Sequence, residues 1–184
     1  MVKKEKFPQE QESRKRMATL IRELTGRSVL KLKEKVVIYP KGDGDNKKVK
    51  VMARIDTGAS ISSIDEDLAK NIGYEKVVRL DYEYGRIVKN PRKSEGYRTR
   101  EDEKEIALLE SIPGVSRTAV IKSSHGFSRR VVVPIVFKIK GIIMKTEASV
   151  ISRAHLKYPL IIGRCDLRNF FIDPRARKTK ENFF

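Results

Sequence analysis

The chain of 184 residues has few side chains that could form covalent crosslinks or bind metals: one cysteine and two histidines. Because Cys165 is alone, no disulfide can form within the chain, which is typical of proteins from a reducing, intracellular compartment. His125, His155 and Cys165 show no recognised metal-binding spacing, so the sequence predicts no metal site. We expect His155 to be a packed or surface residue. We expect Cys165 to be a small core residue, since no histidine partner for a nucleophile can be identified.

Long apolar runs are also absent, and no segment approaches the length of a membrane-spanning helix. The first residues lack the apolar stretch of a secretory signal, so we expect a cytoplasmic protein. No glycine-rich phosphate loop followed by lysine occurs, and no cofactor is predicted. Acidic residues alternate within residues 42–46, but the glutamate that closes a calcium loop is missing, so this segment is predicted to be a turn.

Positive charge is abundant: 41 lysines and arginines against 24 acidic residues give a formal net charge of +17. Such a surplus indicates a polyanionic partner, for which RNA (above all ribosomal RNA), DNA, an anionic membrane or an acidic polypeptide would qualify. No sequence-specific nucleic-acid module is present, so contacts with RNA would be made through phosphates. The basic residues cluster at both ends of the chain. Candidate nucleic-acid-binding residues are Lys3, Lys4, Arg14, Lys15, Arg16, Arg175, Arg177 and Lys178.

Apolar periodicity predicts one helix followed by a mainly β domain. Met17, Leu20, Ile21 and Leu24 have the spacing of one helix face, and Gly26 is a suitable C-terminal cap. Strand patterns occupy residues 29–33, 36–39, 49–55, 60–64, 77–80, 119–121, 130–139, 142–151 and 159–163, with short helices at 65–73 and 165–170, and residues 171–174 close the domain. The predicted organisation is a basic extension (1–27), a domain (28–174) with a charged insertion at about 83–125, and a basic tail (175–184).

One short motif carries chemistry: Asp56-Thr57-Gly58-Ala59 directly follows the apolar strand 49–55. A carboxylate is thereby placed on a tight turn, and the glycine lets a backbone N–H approach it. About a hundred residues later, the apolar strand 160–162 ends in Gly163-Arg164.

These two motifs together resemble the retropepsin-like aspartic peptidases. The stretch 151–164, with 171–173 behind it, is similar to a prokaryotic branch labelled ATP-dependent zinc proteases of the RimK-associated type, found beside ATP-grasp glutamate ligases. The resemblance covers roughly residues 35–175 and implies a closed, retropepsin-like β-barrel. The labels zinc and ATP-dependent gain no support from the residues present.

The resemblance implies that Asp56 is catalytic and that the chain forms a homodimer, because each subunit contributes one aspartate to a shared dyad. Thr57 would brace the two turns through its hydroxyl, and the Gly58 N–H would hold the carboxylate. Ala59, Gly163 and Arg164 would support the site, with Arg164 paired to Asp166 or Asp65. Two features depart from the family: Ser60 replaces a basic residue, and no flap is recognisable, although residues 83–100 are a candidate for it.

Three functions therefore stay open from sequence. One is a homodimeric aspartic endopeptidase acting on an acidic or ribosome-associated polypeptide, such as a polyglutamate tail. Another is a ribosome-binding or RNA-binding protein that uses the fold as a scaffold, with basic tails on phosphates and no catalysis. The third is an interaction module that uses the dimer cleft without cleavage.

Overall fold

A computed structural model describes residues 6–41, 48–83, 100–123 and 126–175. The predicted turn at 42–46, His125, most of the flap candidate 83–100, and the candidate residues Lys3, Lys4, Arg177 and Lys178 lie outside the described residues. The described helices are α1 (Lys6–Thr25), α2 (Glu66–Ala69), α3 (Glu75–Glu83) and α4 (Arg100–Glu110). The described strands are β1 (Ser28–Lys31), β2 (Lys33–Tyr39), β3 (Val49–Asp56), β4 (Ser62–Asp65), β5 (Arg117–Ser123), β6 (Gly126–Ile139), β7 (Ile142–Ile151), β8 (Leu160–Gly163) and β9 (Phe170–Asp173).

Six of these strands close into a barrel, in the order β2-β3-β8-β4-β7-β6, because β6 pairs back onto β2. Strand β5 pairs with β6 outside this ring, and β1 pairs with β9 in a separate parallel ribbon. Closure leaves no free edge within the ring itself. The prediction of a mainly β fold with a closed barrel and an N-terminal helix is confirmed.

The β6–β7 hairpin turns on Lys140 and Gly141. Both residues have positive φ, 49° and 85° respectively, which is the backbone of a two-residue turn that suits the twist of paired strands. Pro134 lies in β6 beyond the last residue paired with β5 and before the first paired with β2, so it has a strand partner on the β7 side alone. That position tolerates a residue without an N–H.

The segment 77–80, predicted to be a strand, is helical and belongs to α3. Tyr74, Val77, Val78 and Asp81 are all at most 4% exposed, and their spacing is that of one helix face. An aspartate at the last of these buried positions interrupts the apolar pattern, which is why the sequence alone favoured a strand.

Helix α1 ends at Thr25, and Gly26 follows with φ 69° as expected. Its apolar residues Met17, Leu20 and Leu24 are 54%, 48% and 76% exposed. Among residues 10–25 the half-buried ones are Arg14, Ala18 and Ile21, so this part of the helix contacts the domain along a narrow line. None of the helices in the described residues is long and apolar enough to span a membrane.

Candidate active site at the Asp56 turn

Asp56 is the last residue of β3, where the strand meets the end of β8. Residues Ala53 and Ile55 are buried, whereas Arg54 is exposed and Asp56 is half-buried. Alternate side chains of a strand lie on opposite faces, so Arg54 and Asp56 share the outer face of the barrel. Asp56 pairs in register with Gly163 of the parallel strand β8, which brings the two sequence motifs into contact.

One oxygen of the Asp56 carboxylate is fixed by the turn that follows it. The Gly58 N–H donates to Asp56 Oδ1 at 3.0 Å and the Ala59 N–H donates to the same atom at 3.3 Å. The sequence predicted the Gly58 contact. A Cβ at Gly58 would lie 3.2 Å from Oδ1, so the absence of a side chain leaves room for this approach. Within the described residues Oδ2 accepts no hydrogen bond, and Thr57 is exposed without a hydrogen-bond partner.

Gly163 allows the Asp56 turn and β8 to interlock. A Cβ built there would lie 2.6 Å from the backbone carbon and oxygen of Ile61, closer than any real side chain could approach. Beyond it, the Arg164 N–H donates to Ala59 O at 2.9 Å and the Cys165 N–H donates to Ser60 O at 3.2 Å. These backbone hydrogen bonds hold residues 59–61 against the end of β8, and thereby hold the turn that carries Asp56.

The sequence did not indicate a cluster of hydroxyl and carboxylate side chains next to the turn, in which Ser62 is buried and Thr146 and Asp166 are half-buried. Ser62 Oγ accepts from the Gly163 N–H at 3.1 Å and donates to Asp166 Oδ2 in a short hydrogen bond. Thr146 Oγ1 donates to Asp166 Oδ1 at 2.6 Å. Asp166 therefore joins β4 and β7 to the 3-10 turn Arg164–Asp166.

The predicted pairing of Arg164 with Asp166 or Asp65 is wrong, because other groups occupy both carboxylates. Asp166 accepts from two hydroxyls, as described above. Asp65 accepts from the Asp67 N–H at 3.0 Å, as an N-cap of α2, and from the Arg153 N–H at 2.6 Å. Arg164 is exposed, and its Nη1 lies 3.5 Å from Gly58 O.

Arg153 is a second residue that the sequence analysis did not single out, although it lies in the stretch that carries the resemblance. Its Nε donates to Tyr158 O at 3.0 Å, and its Nη1 lies 3.4 Å from Ser63 Oγ. Burial lowers the pKa of the Arg153 guanidinium below its ordinary value, and the charge of Arg54 acts in the same direction. Asp65 and Asp56 act in the opposite direction, so a half-buried cation and the Asp56 carboxylate share one electrostatic neighbourhood.

Cys165 is exposed, so its prediction as a core residue is wrong. It lies in the 3-10 turn after β8, where side chains leave the sheet before the chain returns to the core at Leu167. His155 is exposed as well, a surface residue. Among the described residues no group of three or more His, Cys, Asp or Glu side chains is placed to hold a metal ion.

The two predicted basic clusters meet where they are described. Arg14 Nη1 donates to Arg175 O at 3.1 Å, which brings the N-terminal helix and the C-terminal segment side by side. Three of the candidate residues also form ion pairs: Arg14 with Glu10, Arg16 with Glu12 and Arg175 with Asp173. Lys15 is exposed. Their role in nucleic-acid binding stays a prediction.

The β5–β6 hairpin offers a different flap candidate from residues 83–100. Its strands pair from Arg117 with Val132 up to Ser123 with Gly126, so two residues connect them. Strand β5 has β6 as its partner and lies outside the closed ring. Both strands are bound to α4, because Thr118 donates two hydrogen bonds to Glu110 and Arg129 pairs with Glu105.

The chain matches the family model of the RimB-like proteins, described as retropepsin-like aspartic endopeptidase RimB, over residues 29–182. The chain belongs to this family. The resemblance seen in the sequence is thereby confirmed. The comparison with curated proteins found no match.

Several solved structures are similar to this RimB-like chain. The solution structure of simian foamy virus (mac) protease is 16% identical over 73% of this chain and 90% of that chain, with a TM-score of 0.38. Lpg0085 of Legionella pneumophila, whose function is unknown, is 13% identical over 82% of this chain and 96% of that chain, with a TM-score of 0.41. The retroviral protease-like domain of Ddi1 from Leishmania major is 18% identical over 74% of each chain, with a TM-score of 0.36. Membership rests on the family model, since these TM-scores are low.

Proposed function

We propose that this RimB-like chain is an aspartic endopeptidase that works as a homodimer through an Asp56–Asp56 dyad. The observation that carries the proposal is the state of the Asp56 carboxylate. Its Oδ1 is held by two backbone N–H groups of the turn, while Oδ2 accepts no hydrogen bond from the described residues. A carboxylate fixed at one oxygen and open at the other suits a second carboxylate across a two-fold axis.

Two such carboxylates share one proton, because two negative charges a few ångströms apart repel each other. The ionised aspartate acts as general base on a water molecule held between the pair. The protonated aspartate donates a hydrogen bond to the carbonyl of the peptide bond that is cleaved. Because the two groups are coupled, they titrate as one pair. In such a dimer the exposed Thr57 would contact the turn of the second subunit.

The experiment is the Asp56→Asn variant. An asparagine cannot serve as general base, so cleavage should fall by about 10²- to 10⁴-fold or more. The amide oxygen can still accept the Gly58 and Ala59 N–H groups, so we expect the fold and the dimer to persist. Mass spectrometry of digested peptides measures cleavage, and analytical ultracentrifugation measures the oligomeric state.

Two outcomes would contradict the proposal. Cleavage by Asp56→Asn at the wild-type rate would show that the carboxylate is not used. A chain that stays monomeric at concentrations where it cleaves would also contradict it, because one aspartate cannot form the dyad.

We infer that the substrate is an acidic polypeptide, since a net charge of +17 attracts anionic partners to the whole chain. A second candidate function is binding of ribosomal RNA or another polyanion without catalysis. The contact between Arg14 and Arg175 supports it, because it brings basic segments from both ends of the chain to one place. Binding of this kind would weaken steeply with salt and would not depend on Asp56.

A further inference from the structure

The outer face around Asp56 carries positive charge at positions fixed by strand register. Arg54 pairs with Ile161 of β8, and Ile161 pairs with Ser63 of β4, so these three residues form one row across the barrel. Paired residues of neighbouring strands direct their side chains to the same face. That face also carries Asp56, two residues after Arg54 and therefore roughly 7 Å along the strand.

Arg153 covers the far end of this row. Its hydrogen bonds to Tyr158 O and Ser63 Oγ hold the guanidinium over β4, and Ser63 beneath it is 7% exposed. Ser63 lies two strands from Arg54, so their backbones are roughly 10 Å apart. Arg153 is thus a cation whose orientation is set by the protein before any substrate binds.

A third cation completes the arrangement. Lys33 pairs in register with Arg54, and its Nζ lies 5.4 Å from the centre of the Tyr158 ring. We call Lys33, Arg54 and Arg153 the basic face. Within the part of the chain that the structure describes, none of these three side chains forms an ion pair with an Asp or Glu. The charges of Asp65 and Asp56 partly offset that of Arg153, but no carboxylate of the described residues is bound to any of the three side chains.

We propose that Arg54 and Arg153 are specificity-determining residues that bind side-chain carboxylates of the substrate near the bond that is cleaved. This inference rests on the proposed peptidase function and assigns its substrate preference to two residues. Arg54 is near enough to Asp56 to meet a side chain next to that bond, and Arg153 would meet one further along the extended substrate. A guanidinium binds a carboxylate through two parallel hydrogen bonds, which discriminates glutamate from the uncharged glutamine.

The test uses the full chain with Asp56→Asn as background, so that binding is measured without cleavage. The probes are a short capped peptide of consecutive glutamates and its glutamine counterpart, each measured by calorimetry at fixed salt. Losing one charged hydrogen-bonded contact weakens binding by about ten- to a hundredfold. We therefore expect Arg54→Gln and Arg153→Gln each to weaken binding of the glutamate peptide by that factor and to leave binding of the glutamine peptide unchanged.

Two variants serve as controls. Arg79→Gln removes the same charge from the exposed surface of α3, where Arg79 faces Glu83, and should leave the preference intact. Arg153→Lys keeps the charge but loses the planar fork, and should retain part of the preference. Because Arg54 is exposed and forms no ion pair or hydrogen bond among the described residues, Arg54→Gln should fold normally even if Arg153→Gln does not.

Equal binding of the two peptides would overturn the inference. Equal losses of affinity for the glutamate peptide in Arg54→Gln and Arg79→Gln would also overturn it. The inference would also be overturned if a short RNA competed for the basic face more tightly than the glutamate peptide, because the basic face would then bind phosphate groups in preference to carboxylates. Cleavage is assayed separately with the wild-type chain. A preference for glutamate without any cleavage would support the assigned residues and would contradict the peptidase proposal instead.

Discussion

The Asp56 turn and the β1–β9 ribbon each join parts of the chain that are far apart in sequence, but different interactions hold them. At the turn, backbone hydrogen bonds from Arg164 and Cys165 and a tight approach at Gly163 fix the loop. At the ribbon, four residue pairs form a sheet whose outer side chains include Phe171, which is 41% exposed. The conformation of the turn is therefore fixed by contacts inside the chain. The ribbon and α1, in contrast, leave apolar side chains exposed to solvent.

The largest expected difference in the free energy of unfolding is between alanine variants of two leucines, one in the ribbon and one in α1. Leu30 of β1 is fully buried, so Leu30→Ala should lower the free energy of unfolding by about 2–5 kcal/mol. Leu24 of α1 is 76% exposed, so Leu24→Ala should change it by less than about 0.5 kcal/mol. Urea denaturation measures both. A large loss of unfolding free energy for Leu24→Ala would mean that another surface covers α1 in solution. In that case α1 would not differ from the turn by leaving apolar surface exposed.

Gly163→Ala tests the turn. Its Cβ would meet the Ile61 backbone at 2.6 Å, and overpacking of this kind costs about 1–3 kcal/mol. Gly58→Ala is the matched variant, because its Cβ would meet the side-chain oxygen of Asp56 at 3.2 Å, which can shift slightly. We expect Gly163→Ala to destabilise the chain more in denaturation experiments. The reverse order would show that the interlock with β8 is not what positions the turn.

The smallest effect concerns Asp173 at the end of the ribbon. The Arg175 backbone N–H holds the pKa of Asp173 below its ordinary value of 3.8, and the charges of Arg175 and Arg14 add to the effect. A lowered folded-state pKa stabilises the fold above the unfolded value, and the contribution is lost as pH falls through the folded-state value. Because the group is close to solvent, Asp173→Asn should cost at most about 0.5 kcal/mol at neutral pH.

The pH dependence supplies the check on that prediction. The difference between Asp173→Asn and wild type should shrink as pH falls below 3.8, when the wild-type carboxylate becomes protonated. Denaturation in urea at a series of pH values measures it. A difference that does not change with pH would contradict an electrostatic origin.

The strands that form the barrel could be predicted from alternation, and the catalytic candidate from Asp56-Thr57-Gly58-Ala59 with Gly163-Arg164. Their contact follows from parallel pairing of β3 with β8. The α3 segment could not be predicted, because the buried Asp81 breaks its apolar pattern. The roles of Ser62 and Asp166 were hidden because they depend on hydroxyl contacts between residues 104 and 20 positions apart.

The basic face shows the same limit. Arg54 and Arg153 are 99 positions apart in sequence (153 − 54), and nothing local links them. Register places Arg54 in the same row as Ser63, and Ser63 then holds Arg153. The net charge predicted an anionic partner for the whole chain, but it could not show that part of the positive charge lies beside Asp56.

Cys165 gives the chain a practical property. It is the single cysteine of the sequence, it is exposed, and its backbone N–H is bound to Ser60 O near the Asp56 turn. A spin label or fluorophore attached to its Sγ would therefore be unique in each chain. In a symmetric assembly, one distance between two labels would report the separation of the two turns directly, without a substrate and without any change to the residues that carry the chemistry.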